Sequence, residues 1–406
     1  MLIHEYKLSN GLRIIHYPTA SPVVYSGFFI AAGTRDERPE EQGMAHFVEH
    51  MLFKGTTHRK AWHILNRLEA VGGELNAYTN KEETVVYNAC LAQDLPRALE
   101  LMVDIVFHST FPQKEIDKEV EVIIDEIESY LDSPSEQIFD DFEELLFPNH
   151  PLGHNILGTP ELLRHFKSED ALKFVKRYYQ PENMVLFVSG DINTNRFFKL
   201  AEKLMKDIPS VPVVRENVPL PLYVPTKEIR KIGSNQSHVM LGCIAYDSHD
   251  EKRSTLYLLN NILGGPGMNS KLNVSLRERR GLVYQVESNI TSYTDTGLFS
   301  IYFGTAHEDV KRCLDYTYRE LDELCQKPLS NLKLHAAQKQ LIGQIGVSSD
   351  NYENIILGMA KRYLNKGSIE PQSKLFERIK SLTAQQLQDV AKEILDPKHL
   401  TLLQFD

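Results

Sequence analysis

A proline-rich segment divides the sequence into two nearly equal parts. Five prolines stand between residues 208 and 226, at Pro209, Pro212, Pro219, Pro221 and Pro225. Proline restricts φ and has no backbone N–H, so this density excludes a helix and favours an extended linker. A chain of 406 residues exceeds what one hydrophobic core usually serves. We therefore expect domains at 1–208 and 227–406, joined by a linker at 209–226.

The pattern of apolar residues has the same order on both sides of this linker. Strand patterns, helical patterns and a hairpin pattern in the first half are followed, at an offset of roughly 210 residues, by comparable patterns in the second. In the second half they fall at 238–245 (strand), 254–263 and 271–279 (helices), 283–288 and 297–304 (hairpin) and 308–325 (helix). The predicted fold class is α+β, with two structurally similar α/β-sandwich halves formed by a duplicated domain.

Charge and apolar runs exclude several classes of function. A net charge of −10 and a pI of 5.9 argue against nucleic acid as a partner, because phosphate binding requires a positive field. No run of 18 apolar residues is present, so no membrane span is expected. The N-terminal residues lack the features of a secretory signal, and the four cysteines form no CxxC pair. These features predict a cytoplasmic protein with free thiols.

The segment GMAHFVEHMLF, residues 43–53, carries the main chemical signal. His46, Glu49 and His50 stand in an apolar helical pattern, and residues three and four apart share one face of a helix. Two imidazoles beside a carboxylate suit a metal ion and a general base. An amphipathic helix with two solvated histidines would give the same pattern, and only a third ligand separates the two interpretations.

The helix predicted at 114–131 offers two carboxylates for that role. Its buried stripe is predicted to contain Ile116, Val120, Ile123, Ile127 and Tyr130. At about 100° per residue, Glu119 and Glu126 fall together on one edge of the stripe. Three further acidic residues of this helix, Glu121, Asp125 and Glu128, point away from that edge and are expected to be solvated.

These residues resemble the insulinase/pitrilysin family of zinc metallopeptidases, the inverzincins, in its short form similar to the mitochondrial processing peptidase. The HxxEH motif is followed 76 positions later by Glu126, with Glu119 seven residues before it. Further similar segments are GTRDE at 33–37, FKGT at 53–56, LNAYTNKEETVVY at 75–87, PLGHNILGT at 151–159 and LRERRGLVY at 276–284. One departure is GGPGMNSKL at 264–272, where the family has a tighter glycine run; it lacks the residue order of a phosphate-binding loop.

The resemblance implies a role for each of these residues. His46, His50 and Glu126 would bind Zn²⁺, Glu49 would be the general base, and Glu119 would be a supporting carboxylate near the metal. Arg277 and Tyr284 would bind substrate. The strand at 75–78, around Asn76 and Ala77, would pair with the substrate as an added strand, although an ordinary sheet edge would have the same sequence pattern.

The resemblance also implies an activity and an assembly. The expected protein is a zinc endopeptidase that hydrolyses peptides or unfolded polypeptide segments inside a closed chamber. Such chains form paired bowls, so we expect a homodimer, or a heterodimer with a related subunit, in which Arg277 and Tyr284 act in cis or in trans. The alternative is a non-catalytic structural or partner subunit of the same family.

Overall fold

The structure, a computed structural model, describes residues 3–216 and 218–406. The first two positions of the predicted N-terminal domain and residue 217 of the predicted linker lie outside this range. Between Met205 and Lys227, the described residues form neither helix nor strand, in agreement with the proline content. The strands are β1 (His4–Lys7), β2 (Arg13–Pro18), β3 (Val23–Ile30), β4 (Glu74–Thr79), β5 (Thr84–Leu91), β6 (Met184–Gly190), β7 (Lys227–Arg230), β8 (Ser237–Ala245), β9 (Val283–Ser292), β10 (Gly297–Thr305) and β11 (Thr401–Phe405).

Helices account for most of the remaining chain. In the first half they are α1 (Met44–Met51), α2 (Ala61–Glu69), α3 (Leu95–Phe107), α4 (Gln113–Leu131), α5 (Pro134–Leu146), α6 (Pro160–Leu163), α7 (Ser168–Tyr178) and α8 (Thr194–Met205). In the second half they are α9 (Arg253–Gly264), α10 (Val310–Gln326), α11 (Asn331–Ser348), α12 (Tyr352–Lys366), α13 (Gln372–Ser381) and α14 (Ala384–Ile394). None of the helices in the described part of the chain is long and apolar enough to cross a membrane.

The two sheets have the same strand connectivity, which confirms the predicted duplicated α+β fold. The first sheet has the order β1-β2-β6-β3-β5-β4, and the second has the order β7-β11-β8-β10-β9. Each contains one parallel pair, β2 with β6 and β7 with β11, and the other pairs are antiparallel. Strand β1 is the additional member of the first sheet.

Two helices are exchanged between the halves of the sequence. The compact units are discontinuous: one comprises Met1–Ser129, His154–Pro219 and Ser349–Ile369, and the other comprises Tyr130–Gly153, Leu220–Ser348 and Glu370–Asp406. Helix α12, from the second half, therefore belongs to the first unit, and helix α5, from the first half, belongs to the second. The domains at 1–208 and 227–406, with the linker at 209–226, remain a prediction from the sequence.

The first sheet is covered on both faces. One face packs on a core that includes α1, α3 and α8, through residues such as Ile14, Phe28 and Leu186. The opposite face packs on α12, where Ile15, Phe29 and Phe187 contact Ile356, Ala360 and Tyr363. Because β6 is buried on both faces, its sequence is a continuous apolar run rather than an alternating one.

Several local predictions need correction. Tyr130, assigned to the buried stripe of α4, is 38% exposed, because the helix reaches its last turn there. The helix predicted at 271–279 contains a π-helical segment, Asn273–Glu278. Strands β7 and β11 were not predicted, because they have only 4 and 5 residues. The exposed positions of Glu121, Asp125 and Glu128 are confirmed.

Candidate metal centre

Helix α1 begins at a close contact between two glycines. Gly43 is its N-cap, with φ of +92°, and a Cβ there would lie 2.8 Å from the Cα of Gly158. Only glycine accepts both this left-handed conformation and this approach. The buried carboxylate of Glu37 accepts hydrogen bonds from the backbone N–H groups of Gly43 at 2.9 Å and Ala45 at 2.7 Å. Two of the N–H groups at the start of the helix, which have no partner within the helix, are thereby satisfied.

Helices α1 and α4 bring three candidate ligands together. The rings of His46 and His50, one turn apart on α1, have centroids 4.6 Å from each other. The Oε2 atom of Glu126 lies 3.9 Å from Nε2 of His46 and 3.7 Å from Nε2 of His50. One potential ligand atom from each of the three residues lies within 4.8 Å of the other two.

A second carboxylate of α4 holds one of these rings. The Oε1 atom of Glu119 lies 3.0 Å from Nδ1 of His50, and its Oε2 atom lies 2.5 Å from Nζ of Lys54. With Nδ1–H donating to this carboxylate, Nε2 of His50 keeps its lone pair and faces Glu126. Carboxylate–imidazole pairs of this kind select the tautomer of a metal-binding histidine.

The two histidines differ in their ionisation. Burial, and then the neighbouring His50, lowers the pKa of His46 to about 3, so this imidazole is neutral at physiological pH. Burial also acts to lower the pKa of His50, but its hydrogen bond to Glu119 and the charges of Glu119, Glu49 and Glu126 overcome this, and the pKa is raised. The Glu119 carboxylate is buried too, yet His50 and Lys54 hold its pKa below the ordinary value. The site therefore contains a neutral imidazole, His46, beside a second imidazole, His50, whose protonated form the neighbouring carboxylates stabilise.

Glu49 lies next to this cluster but does not join it. It is mostly buried, and its Oε2 atom has no hydrogen-bond partner among the described residues. Burial raises the pKa of Glu49; the Thr79 hydroxyl beside it and the nearby His50 partly offset the effect, and the charge of Glu126 adds to it. A carboxylate with a raised pKa and a free oxygen is suited to accept a proton near neutral pH.

Strand β4 leads directly to Glu49 and forms an edge of the first sheet. Its described residues pair only with β5, where Asn76 is opposite Tyr87 and Ala77 is opposite Val86. Asn76 is exposed and Ala77 is half-buried, and the strand ends at Thr79. An unpaired backbone edge beside a candidate base can accept an extended peptide.

Arg277 and Tyr284 lie in the second unit, apart in the sequence from the cluster. Arg277 is in the π-helical segment, and Tyr284 is on β9, with 89% of its surface exposed. Both line an open cleft of about 320 Å³, whose other wall includes Gly264, Gly265 and Pro266 of the glycine-rich segment. The two residues predicted to bind substrate therefore share one surface.

Four residues that support the site were not assigned a role from the sequence. They are Glu37, Lys54 and Thr79, together with Asp104, which holds the segment after Lys54 through Thr56, His58 and Arg59. The first three lie in GTRDE, FKGT and LNAYTNKEETVVY, segments similar to the family. Their partners are distant in the sequence or belong to the backbone, as in the contact of Lys54 with Glu119. For Glu37, Lys54 and Thr79 the available signal was the similarity of their segments to the family, and no local pattern distinguished Asp104.

The donor set fits zinc. Two imidazole nitrogens and one carboxylate oxygen are a common set of three protein ligands for catalytic zinc, and they leave a position for water or substrate. One ring, His46, is already neutral, as a ligand must be. Nε2 is the nitrogen of His46 that faces the cluster, 3.9 Å from Oε2 of Glu126. The other ring nitrogen, Nδ1, is buried without a hydrogen-bond partner among the described residues.

The fold and the cluster define a two-unit α+β protein with a candidate metal centre next to a sheet edge. The chain matches the model of the insulinase family, peptidase family M16, over residues 14–160. Residues 165–341 match the model described as the peptidase M16 inactive domain. The chain belongs to this family, because these matches agree with relatives of 30% identity or more over nearly its whole length.

Two of these relatives come from bacteria. An uncharacterized zinc protease of Bacillus subtilis, YmxG, is 31% identical over 97% of this chain and 96% of its own. An uncharacterized zinc protease of Rickettsia felis is 30% identical over 96% of this chain and 94% of its own. These similarities support a peptidase family.

Solved structures share the fold at lower sequence identity. A peptidase M16 inactive domain from Pseudomonas fluorescens has a TM-score of 0.92 and 19% identity, covering 100% of this chain and 98% of that one. A protease from Helicobacter pylori has a TM-score of 0.92 and 21% identity, covering 100% and 99%. At this identity the likeness concerns the fold alone.

Proposed function

We propose that the protein is a zinc endopeptidase that hydrolyses peptides or unfolded polypeptide segments. The observation that carries this proposal is the approach of His46, His50 and Glu126 to within 4.8 Å, with the carboxylate of Glu49 beside them. Zinc bound by these three residues supplies a Lewis acid that lowers the pKa of water and stabilises negative charge on a carbonyl oxygen.

The chain's own residues perform the proton transfers. Glu49 accepts a proton from the water that attacks the scissile carbonyl and returns it to the leaving amine nitrogen. Its raised pKa favours holding that proton between the two steps. Glu119 keeps the His50 ring oriented through the 3.0 Å contact at Nδ1.

The substrate is proposed to bind as an extended strand along β4. Main-chain pairing at Asn76 and Ala77 gives affinity without strict sequence preference, and the strand runs toward Thr79 and Glu49. Arg277 and Tyr284 are proposed to bind the substrate in cis or in trans, with Tyr284 donating a hydrogen bond to the developing oxyanion. The closed chamber and the cytoplasmic location remain predictions from the sequence.

Cleavage of a quenched-fluorescent peptide library by the zinc-loaded protein tests this function. We expect cleavage that a chelator abolishes and that added zinc restores, with about one zinc ion bound for each set of three ligands. Mass spectrometry of the products identifies the bonds that are cut. If the wild-type protein binds zinc and cleaves no member of the library, the endopeptidase proposal is wrong.

The alternative is a non-catalytic partner subunit. The candidate base and all three candidate ligands are present and close together in this chain, which argues against that alternative. The same library assay separates the two: activity of the isolated chain excludes the alternative, and zinc binding without cleavage by the intact assembly favours it.

We further propose a homodimer, with a heterodimer as the second possibility, in which Arg277 and Tyr284 complete a metal site in cis or in trans. Mixing Glu49→Gln chains with Arg277→Ala chains distinguishes the arrangements. Recovery of activity in the mixture supports completion in trans, because only then does one site in a mixed dimer have both residues intact. Mixed dimers without recovered activity support completion in cis.

A further inference from the structure

The loop after helix α1 places a lysine beside Glu119, the carboxylate that contacts His50. Lys54 lies four residues beyond His50, and its Nζ atom is 2.5 Å from Oε2 of Glu119. The other oxygen of the same carboxylate is 3.0 Å from Nδ1 of His50. The Glu119 side chain is 8% exposed, so its two oxygens are divided between the lysine and the imidazole with little access to water.

A buried aspartate fixes the loop that carries Lys54. Asp104, on α3, is 3% exposed and accepts hydrogen bonds from Thr56 Oγ1 at 2.9 Å and Arg59 Nη1 at 2.6 Å. Its Oδ1 atom lies 2.7 Å from Nδ1 of His58. Three side chains of one short loop therefore converge on a single carboxylate, which attaches the loop to α3.

The loop also closes on itself. Thr56 Oγ1 accepts the backbone N–H groups of His58 at 3.1 Å and Arg59 at 2.9 Å, while the Thr56 N–H donates to the Arg59 carbonyl at 2.8 Å. Arg59 makes a further ion pair of 2.5 Å with Glu100 of α3. A loop held at this many points restricts the backbone that follows Lys54, so the lysine can contribute to fixing the rotamer of the side chain it contacts.

We propose that Lys54 is a positioning residue that, held by the Asp104-anchored loop, fixes Glu119 against His50 and so orients Nε2 of His50 toward the metal. This inference rests on the proposed zinc site. A buried carboxylate that loses one of its two hydrogen-bonding partners must rotate or recruit water, and either change loosens the imidazole that it holds. The structure thus assigns a function to the FKGT segment that follows the metal-binding motif.

Zinc affinity tests the proposal independently of activity. In competition with a chromophoric chelator, we expect Lys54→Met to weaken zinc binding by up to about 10-fold, the lower end of the effect of removing an outer partner of a metal ligand, because Lys54 acts through Glu119, which is that partner. Lys54→Arg retains a cation within reach of Glu119 and should restore most of the affinity. The matched control is Lys118→Met, which removes an exposed lysine of α4 that pairs with Glu115.

A second variant tests whether Asp104 acts through Lys54. Asp104→Asn should weaken zinc binding in the same direction, and the double variant should bind zinc no more weakly than Lys54→Met alone, because both changes release the same contact. Denaturant unfolding of each metal-free variant shows that it is folded, and the absorption spectrum of the cobalt-substituted protein reports the ligand geometry.

The outcomes separate this inference from the proposed function. Wild-type zinc affinity and an unchanged cobalt spectrum in Lys54→Met would overturn the positioning role and leave the peptidase proposal intact. Equal loss of affinity in Lys54→Met and Lys54→Arg, with both proteins folded, would also overturn it. A wild-type protein that binds no zinc would instead contradict the proposed function itself.

Discussion

The carboxylate of Glu37 accepts a hydrogen bond from the backbone N–H of Ala45 at 2.7 Å. It accepts a second one from Gly43, so a side chain from the preceding segment satisfies two backbone N–H groups at the start of the helix that carries both histidines. The opening of α1 is therefore stabilised by hydrogen bonds to one buried side chain, and burial raises the pKa of this Glu37 carboxyl well above its ordinary value, although the two backbone N–H groups act to lower it.

Replacing this cap should destabilise the fold. We expect Glu37→Gln to lower the free energy of unfolding by about 1–2 kcal/mol, because the amide supplies one acceptor where the carboxylate supplies two. Chemical denaturation of the metal-free protein measures the change. Glu40→Gln, at an exposed neighbouring position, is the control; equal effects of the two substitutions would contradict the capping role.

Removal of the proposed base should separate metal binding from turnover. Glu49→Gln is expected to bind zinc with wild-type affinity and to lose about 10²- to 10⁴-fold in peptide hydrolysis, because Glu49 is proposed to transfer protons without binding the metal. Zinc competition and steady-state kinetics measure the two quantities. Loss of zinc from this variant would show that Glu49 acts as a ligand.

Removal of Glu126, the proposed third ligand, should weaken zinc binding, unlike removal of Glu49. Glu126→Gln is expected to weaken zinc binding by more than about 100-fold, exceeding the usual effect of an outer partner. The control is Glu121→Gln, since Glu121 is an exposed glutamate of the same helix. If both variants bind zinc equally well, Glu126 is not a ligand.

The low pKa of His46 predicts a pH-dependent stability of the metal-free protein. Burial lowers this pKa to about 3 in the folded state, whereas an unfolded histidine titrates near its ordinary value of 6.5. The unfolded state therefore binds a proton that the folded state does not, and stability from this residue, complete above 6.5, is lost as the pH falls toward 3. Its slope approaches about 1.4 kcal/mol per pH unit.

Comparison with His46→Gln isolates this contribution from that of His50, whose raised pKa acts in the opposite direction. Denaturation between about pH 5 and pH 7.5 in chelator-treated buffer should show the wild-type protein losing its advantage over the variant as the pH falls. If the difference in stability between the wild-type protein and His46→Gln did not change with pH, the interpretation of His46 as a buried, neutral imidazole would be wrong.

The exchanged helix α12 should stabilise the first sheet rather than the second. Ile356 is fully buried against that sheet, so Ile356→Ala is expected to cost about 2–5 kcal/mol. Hydrogen exchange should become faster in β2, β3 and β6 and stay unchanged in β8 and β10. The control is Leu332→Ala on α11, where the side chain is 82% exposed. If hydrogen exchange became faster only in the second sheet, the assignment of α12 to the first sheet would be wrong.

The helical periodicity of α4 predicted one feature of the site correctly. It placed Glu119 and Glu126 on one edge of the helix, and both carboxylates lie beside His50, at 3.0 and 3.7 Å from its two ring nitrogens. A period of 3.6 residues is local, so the sequence carries it directly. The roles of these residues in metal binding remain proposals.

The partners of exchanged helices could not be predicted in this way. The apolar face of α12 indicates that the helix is buried but does not specify which of two similar sheets covers it. The same holds for Lys54, whose partner Glu119 is 65 residues away in the sequence, a separation that no local pattern encodes.

The sequence by itself determined the duplicated α+β plan, the extended proline segment and the placing of two histidines and a glutamate on one helix. These depend on local periodicity and on the conformations that proline and glycine permit. The tertiary structure alone decided which helix covers which sheet, that Glu37 caps α1, and that Asp104 and Lys54 support Glu119. Those contacts join residues far apart in the chain, and they are selected by packing and by the need to pair buried polar groups.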